Sequence, residues 1–538
     1  MSSTGRRSLL TVPIVIAVCA VAGGLLGPHL SVAAAATDDD QIQASFRRFA
    51  QVLDTLERNY ADKVDPEEAI FQGAIPQMLQ TLDPHSQFFD PEAFERLRDD
   101  QRGNYAGVGM TIHNRNGQTV VVHPFPKTPA YRAGLRPGDV IVEVNGELMD
   151  GLNTTEVANR LRGPEGTEVE IGYERPGLKG LTKVTVVRDR IPRPSVPVHF
   201  EIKPNVGFIK IESFNETTGR ELDAALEQLD ADNLEGLVLD LRGNRGGLLS
   251  QGVYVSDRFL QKGQKIVSHH GRSSNERAYS AQRGNINGEF PIVVMVNCQS
   301  ASASEIVAGA LQDHDRAVII GTPTFGKGLV QTVYPVGNTA GLALTTARYY
   351  TPSGRLIQRR YDGVSMVEYY NDPCSEHYKP TSDEKTTTDH GRQVYGGGGI
   401  TPDIQISEQR MNDFQILLRR EFAFENFAQH YTLNRKKMPT GWEASDEVVE
   451  EFRQFLRNED VAFQDADFDA NVDFIQRFIK REVYVSAYDL EEGERVYYEL
   501  DPDVEKAVEA LSKAKLLLES PSRMVAEQLR AEREQRQP

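Results

Sequence analysis

Cysteine is scarce in this chain: three in 538 residues, with Cys19 inside an apolar leader and Cys298 and Cys374 isolated downstream. Without a Cys-x-x-Cys pair or a Cys/His cluster at metal spacing, neither a disulfide framework nor a zinc site is expected. Cys298, with its apolar strand neighbours, reads as a small buried hydrophobe rather than a nucleophile. Positive charge is also short. Lys+Arg 60 against Asp+Glu 78 leaves a net charge of −18, a field that repels phosphate backbones and argues against nucleic acid as a partner. The Gly-x-x-x-x-Gly-Lys-Ser/Thr arrangement that cradles phosphates is missing, which argues against a nucleotide site. Long apolar runs are limited to one, at the N-terminus. What is present, a 39% hydrophobic share over 538 residues, suffices for three or four domains at about 150 residues each.

The apolar run extends from Leu9 to Gly27, preceded by Arg6 and Arg7 and followed by Pro28, the tract Ala33 to Ala36, and Asp38-Asp39-Asp40. Residues 1–36 therefore have the regions of an export signal. The run is also long enough to span a bilayer at about 1.5 Å per residue, so a cleaved signal and a retained anchor over 9–27 both stay open. The Arg-Arg pair also allows a twin-arginine route. In every case the positive end stays in the cytoplasm and the rest is exported, to the periplasm.

Apolar residues recur at helical spacing over 41–100, as in Phe46, Phe49, Val52, Leu53 and Leu56, which predicts a helical N-terminal region. Over 103–190 the pattern shifts to short alternating strands with Gly, Pro and Asn punctuation, a small β-rich module. Between 195 and 408 apolar strands alternate with helices, the rhythm of an α/β core. Helical periodicity returns over 409–538, where the apolar faces of Phe414 to Phe427 and Val504 to Leu518 suit a packed bundle or an interface for self-association or an adaptor.

Chemistry concentrates where an apolar strand runs into Ser300-Ala301-Ser302-Ala303-Ser304-Glu305. A hydroxyl at a helix start sees unpaired N–H groups and the positive end of the macrodipole. The same Ser302-x-x-Glu305 spacing is a capping box that serves any helix, and local chemistry does not choose among the three serines. Downstream lies Thr324-Phe325-Gly326-Lys327-Gly328-Leu329-Val330-Gln331. If 327–331 is extended, residues 327, 329 and 331 share one face, and apolar neighbours would depress the Lys327 pKa toward a neutral amine oriented by Gln331. A solvated turn lysine is the alternative. Asp240-Leu241-Arg242-Gly243-Asn244-Arg245-Gly246-Gly247 is either a tight βα turn or a source of backbone donors for an oxyanion. His314 stands near Asp313 and Asp315, but at about 18 Å along the helix from Ser302 it is too far to complete a triad. His85, His269 and His270 lack carboxylate partners in sequence and read as surface or structural residues.

The 300–313 and 324–331 segments resemble the carboxy-terminal processing peptidases, the tail-specific serine proteases of family S41. The likeness extends to Ala74-Ile75-Pro76-Gln77-Met78-Leu79, Leu82-Asp83-Pro84-His85-Ser86, Tyr350-Thr351-Pro352-Ser353-Gly354-Arg355 and Gly399-Ile400-Thr401-Pro402-Asp403. The resemblance implies an α/β catalytic core of the ClpP/crotonase type and an exported endopeptidase that cleaves proteins near their C-termini. It implies Ser302 as nucleophile, Lys327 as general base and Gln331 as the residue that orients it. The oxyanion donors would be Ala303 and one of Gly246 and Gly247, with Gly247 favoured, and no metal or cofactor is required. Arg245 departs from the family's usual Pro or Gly, and Gly243 from a common Asn. The β-rich module resembles a PDZ domain whose loop Gly107-Val108-Gly109-Met110 would receive a peptide's terminal carboxylate, with the peptide adding as a strand. The Ala130 to Ile141 helix, turn and strand support that reading. Two rivals follow from the same residues. One is a catalytically degenerate PDZ scaffold, kept open by Arg245; the other is a crotonase-type acyl-CoA enzyme, disfavoured by export and the lack of a nucleotide site.

Overall fold

The computed structural model describes residues 38–526, apart from 116, 176–177, 179, 286–288, 338, 372–373, 375–383, 408–409, 434, 436–437, 440 and 524. The leader expected over 1–36 lies outside the described residues, and no described helix is long and apolar enough to cross a membrane. One unit ends at Thr81 and contains the helices Asp38–Asn59, Pro66–Glu68 and Ile75–Gln80, with a π-helical turn Ala69–Ala74 between the last two. The second unit starts at Leu82 and contains everything that follows. The expected helical stretch over 41–100 is broken there by the strand Gln87–Phe89, which pairs antiparallel with Ala340–Tyr350.

The 240–247 loop and Ser302 follow strands of a six-stranded sheet in the order Val198–Lys203, Val206–Lys210, Gly236–Asp240, Ile292–Val296, Val318–Gly321, Ile404–Gln405. The first pair is antiparallel and the rest are parallel. A parallel sheet is buried on both faces, so its strands are apolar throughout and alternate residues serve opposite layers. Leu237, Leu239, Ile292, Val294 and Ile319 pack with the helices Thr218–Gln228, Leu249–Asp257 and Ala303–Asp313. Val238, Val293, Met295, Val318 and Ile320 face the other way, onto Val504, Ala507, Ala510, Leu511, Ala514 and Leu517 of the last helix, Pro502–Glu519. The apolar stripe of that helix is thus used inside the chain. A second sheet contains Leu329–Val336 paired with Ala340–Tyr350.

The β-rich module has a sheet whose edge strand is Met110–Arg115, ordered with Gln118–Pro124, Val140–Val144, Glu168–Glu174 and Thr182–Val187. Its core joins Val108, Val121, Ile141, Val169 and Ile171 to Val157 and Leu161 of the helix Thr154–Leu161. The C-terminal helices form their own aromatic-rich core around Phe424, Phe427, Phe452, Phe468 and Ile475. They also touch the β-module, where the Phe422 and His113 rings stack 3.6 Å apart and Arg115 pairs with Glu459 at 2.7 Å.

The cysteine expectation needs correction. Cys298 is buried as expected, at 2% exposure, but it is disulfide-bonded to Cys374, with Cα atoms 5.2 Å apart. That separation lies in the range a disulfide spans, and a sequence separation of 76 hid the pairing from a spacing argument. A Leu517→Ala substitution removes a 1%-exposed side chain between helix and sheet and is expected to cost about 2–5 kcal/mol, read as a lower urea midpoint of the unit that contains the six-stranded sheet.

Candidate active site

The strand Ile292–Val296 ends in a sharp turn, and Ser302 begins the helix Ala303–Asp313 at φ 56°, ψ −112°, a positive φ that a non-glycine residue adopts only when its surroundings impose it. The structure distinguishes the three serines by burial and bonding. Ser300 and Ser304 are fully buried, and their hydroxyls donate to the carbonyls of Leu241 (2.8 Å) and Asn244 (2.9 Å). Ser302 is half-buried, and among the described residues its hydroxyl proton has no acceptor. The other two tie the helix start to the 241–244 loop.

Glu305 holds Ser302 and Lys327 together. Its Oε2 accepts from the backbone N–H groups of both, at 2.8 and 2.9 Å, while Oε1 accepts from Thr324 Oγ1 (2.5 Å) and the Gly326 N–H (2.7 Å). The carboxyl is fully buried, which raises its pKa, and these four donors work against that rise. On the carbonyl side, the buried Tyr349 hydroxyl donates to Lys327 O at 2.5 Å and lies 3.2 Å from Ser302 O. One carboxylate and one phenol therefore fix the backbone of both residues.

Lys327 precedes the strand Leu329–Val336 rather than lying within it, and a bulge falls between Val330 and Gln331, so the simple alternation expected for 327, 329 and 331 does not hold. The reason is that the Gly326 and Lys327 amides are taken by Glu305 and the Gly328 amide by Gln358 Oε1 (2.8 Å), leaving none for a ladder. Lys327 Nζ still donates to Gln331 Oε1 at 2.8 Å. Burial lowers the Lys327 pKa below the ordinary lysine value, opposed by the charges of Glu305 and Asp83. Gln331 Nε2 donates to the carbonyl of His85, so the amide turns its oxygen to the lysine.

His85 is buried at 8% exposure, not a surface residue. Its backbone N–H donates to Asp83 Oδ1 (2.7 Å), and its ring nitrogens meet the Tyr369 and Tyr370 hydroxyls at 3.0 Å each. Burial first, then the Lys327 charge, lowers its pKa to about 3, so the imidazole is neutral and acts as a fixed support. Of the two readings given for His85, surface or structural, the burial fits the structural one; sequence reasoning missed Tyr349 and saw Glu305 only as a cap. The available signal for Glu305 was a carboxylate directly before the apolar run Ile306-Val307-Ala308-Gly309-Ala310-Leu311. His314 sits at the far end of that helix, 2.7 Å from Asp389 and 2.7 Å from the Lys265 carbonyl, away from Ser302. His269 and His270 lie on the strand Lys265–Gly271 against Tyr279 and Tyr350.

The loop 240–247 closes the site. Buried Asn244 donates to the Ile211 carbonyl (2.9 Å), accepts the Gly246 N–H on Oδ1 (2.8 Å) and accepts the Ala301 N–H on its own carbonyl (3.0 Å). Gly246, at φ 92°, has no room for a side chain: a Cβ there would lie 2.7 Å from Ser302 Cβ and 2.9 Å from Ala303 N. Phe214 bonds to Gly246 O and receives Leu248 N–H, flanking Gly247 in a parallel bridge. That pattern leaves the Gly247 N–H on the opposite side, and the Ala303 N–H starts its helix; among the described residues neither has an acceptor. Arg245 is exposed and Gly243 adopts φ 74°, so the two departures from the family pattern leave this arrangement formed.

In the β-module, the carbonyls of Val108 and Gly109 accept from Ala130 (2.8 Å) and Phe125 (2.9 Å). Because a trans peptide opposes its C=O and N–H, the amides of Gly109 and Met110 point the other way. Gly109 is at φ 80°, and a Cβ there would collide with Thr128 at 2.4 Å.

Residues 205–366 match peptidase family S41 and residues 120–175 match the PDZ domain. The carboxy-terminal-processing protease of Bartonella bacilliformis is 37% identical over 423 residues, covering 76% of this chain and 96% of that protein. The carboxy-terminal processing protease CtpA of Bacillus subtilis is 34% identical over 319 residues, 59% of this chain and 67% of that one. Among solved structures, a photosystem II D1 C-terminal processing protease is 29% identical with a TM-score of 0.35, covering 67% of this chain and 92% of that one. A Glu305→Ala variant would leave four buried donors unpaired and is expected to lose about 3 kcal/mol or more, measured by chemical unfolding, with Glu305→Gln losing less.

Proposed function

The chain belongs to peptidase family S41 and is a serine-type carboxy-terminal processing protease, and we propose that its cleavage runs through Ser302 and Lys327 after export. The observation that carries this reading is the joint fixing of the Ser302 and Lys327 backbones by Glu305 and Tyr349, with the lysine amine oriented by Gln331 Oε1. A neutral lysine has two protons and a lone pair. One proton goes to Gln331 Oε1, and the lone pair takes the Ser302 proton as the oxygen attacks the scissile carbonyl. The ammonium then returns the proton to the leaving amine, and water completes the cycle with the lysine again as base. The Ala303 and Gly247 amides stabilise the oxyanion, while Gly246 keeps the space open.

Capture of substrate tails belongs to the same proposal. The Gly107-Val108-Gly109-Met110 loop presents amides to a terminal carboxylate beside the edge strand Met110–Arg115. The leader over 1–36 supports export to the periplasm, with 9–27 as a cleavable signal or inner-membrane anchor.

Lys327→Ala should lower turnover of a tailed substrate by about 10²–10⁴-fold, to the level of a Ser302→Ala control; unchanged turnover would discard the mechanism. Because burial depresses the Lys327 pKa, the active neutral form accumulates as pH rises, so kcat/KM climbs through a midpoint below the usual ~10.4. The Asp83 carboxylate favours the ammonium. Asp83→Asn therefore moves the acid limb to lower pH, and a limb that stays put or moves up contradicts the assignment. For tail capture, a peptide with a free C-terminus should compete with the substrate and its C-terminal amide should compete poorly.

A further inference from the structure

Asp501 belongs to the C-terminal helical region, which no step above uses. It caps the helix Pro502–Glu519 with Oδ1, accepting the Asp503 N–H at 2.9 Å. Its Oδ2 accepts from Arg242 at 2.9 Å. Arg242 lies in the loop that supplies Gly246 and Gly247. Its backbone N–H and guanidinium both bond to Asp240 at 2.8 Å, and its carbonyl accepts from Lys210 Nζ. Asp240 is fully buried, and the two nearby cations hold its pKa at about 2 against the cost of burial. Lys210, Asp240, Arg242 and Asp501 thus form a low-exposure network of two cations and two anions, with Asp503 further off at 3.7 Å. From Arg242 the chain passes directly to Gly243, whose N–H donates to Asn297 Oδ1 (2.9 Å), and to Asn244, which sets Gly246.

We propose that the C-terminal region positions the oxyanion loop of the protease through the Asp501–Arg242 pair, making Asp501 a positioning residue for the reaction. The inference rests on the catalytic reading above for its kinetic consequence, though not for its structural one. Without the Asp501 charge, Asp240 is the one carboxylate in close contact with the two cations, and Asp503 stays at 3.7 Å. A largely buried guanidinium with a lost partner is drawn toward water, and Arg242 is two positions from Asn244 and five from Gly247 along one short loop. Movement there shifts a donor that must meet a developing negative charge, where small misplacements cost large factors in rate.

Asp501→Asn separates the two jobs of the side chain, because asparagine caps helices as well as aspartate does while carrying no charge for Arg242. In the full-length protein, amide hydrogen exchange over 241–247 should quicken at least five-fold, with exchange in the β-module unchanged. Turnover should show a kcat at least ten-fold lower, a KM within two-fold of wild type and an unmoved Lys327 pH midpoint; Asp501→Glu should restore part of kcat. Wild-type exchange across 241–247 in a folded Asp501→Asn variant would overturn the proposal, as would an unchanged kcat in a preparation whose wild type cleaves. If the wild type shows no Ser302-dependent turnover, the protease reading fails and the exchange measurement still decides the coupling.

Discussion

The site depends on one buried carboxylate. Glu305 binds the amides of Ser302 and Lys327 on a single oxygen, joining two segments that the sequence separates by an entire helix and strand. Burying a carboxylate away from water is costly unless its lone pairs are filled, and here four donors fill them. Tyr349 does the complementary work on the carbonyls. Both residues are held through their main chains, and the Lys327 amine is further oriented by Gln331 Oε1 at 2.8 Å. This also explains a turn residue at φ 56°: the surrounding bonds outweigh the backbone preference.

How much of this was legible in the sequence follows the range of each interaction. The α/β rhythm follows from local apolar patterning, which the sequence displays directly; which face of a strand such as Leu237 to Leu239 meets which layer appears only in the fold. The pairing of Lys327 with Gln331 was readable because only four positions separate them, although the expected strand geometry was not what produced it. Ser302 could be singled out by resemblance, whereas its distinction from Ser300 and Ser304 depends on carbonyls of residues 241 and 244, about sixty positions away. His85 looked partnerless for the same reason: its ring meets Tyr369 and Tyr370, and its carbonyl meets Gln331, all more than 240 positions downstream. The Cys298–Cys374 bond escaped because two isolated cysteines have no spacing signature.

The β-module and the C-terminal helices illustrate a different limit. Periodicity identified amphipathic helices in 409–538, but an apolar stripe does not say what it covers. In the folded chain the stripe of Pro502–Glu519 covers the sheet face opposite Ala303–Asp313, a face that a parallel sheet cannot leave in water. The other helices reach the β-module through Phe422 and Glu459.

Coverage of that face also explains why charge accumulates where it does. Parallel strands end together, so the helix that lies across Gly236–Asp240 and Ile292–Val296 begins near the loop that carries Arg242. Its first turn has free amides and a positive dipole end, which favours an aspartate at the cap. That aspartate, at residue 501, is then adjacent to whatever follows strand Gly236–Asp240, and Arg242 is the residue placed to meet it. An ion pair at this position follows from the packing that the sheet requires, so the element that completes the core also comes to rest against the loop that completes the site.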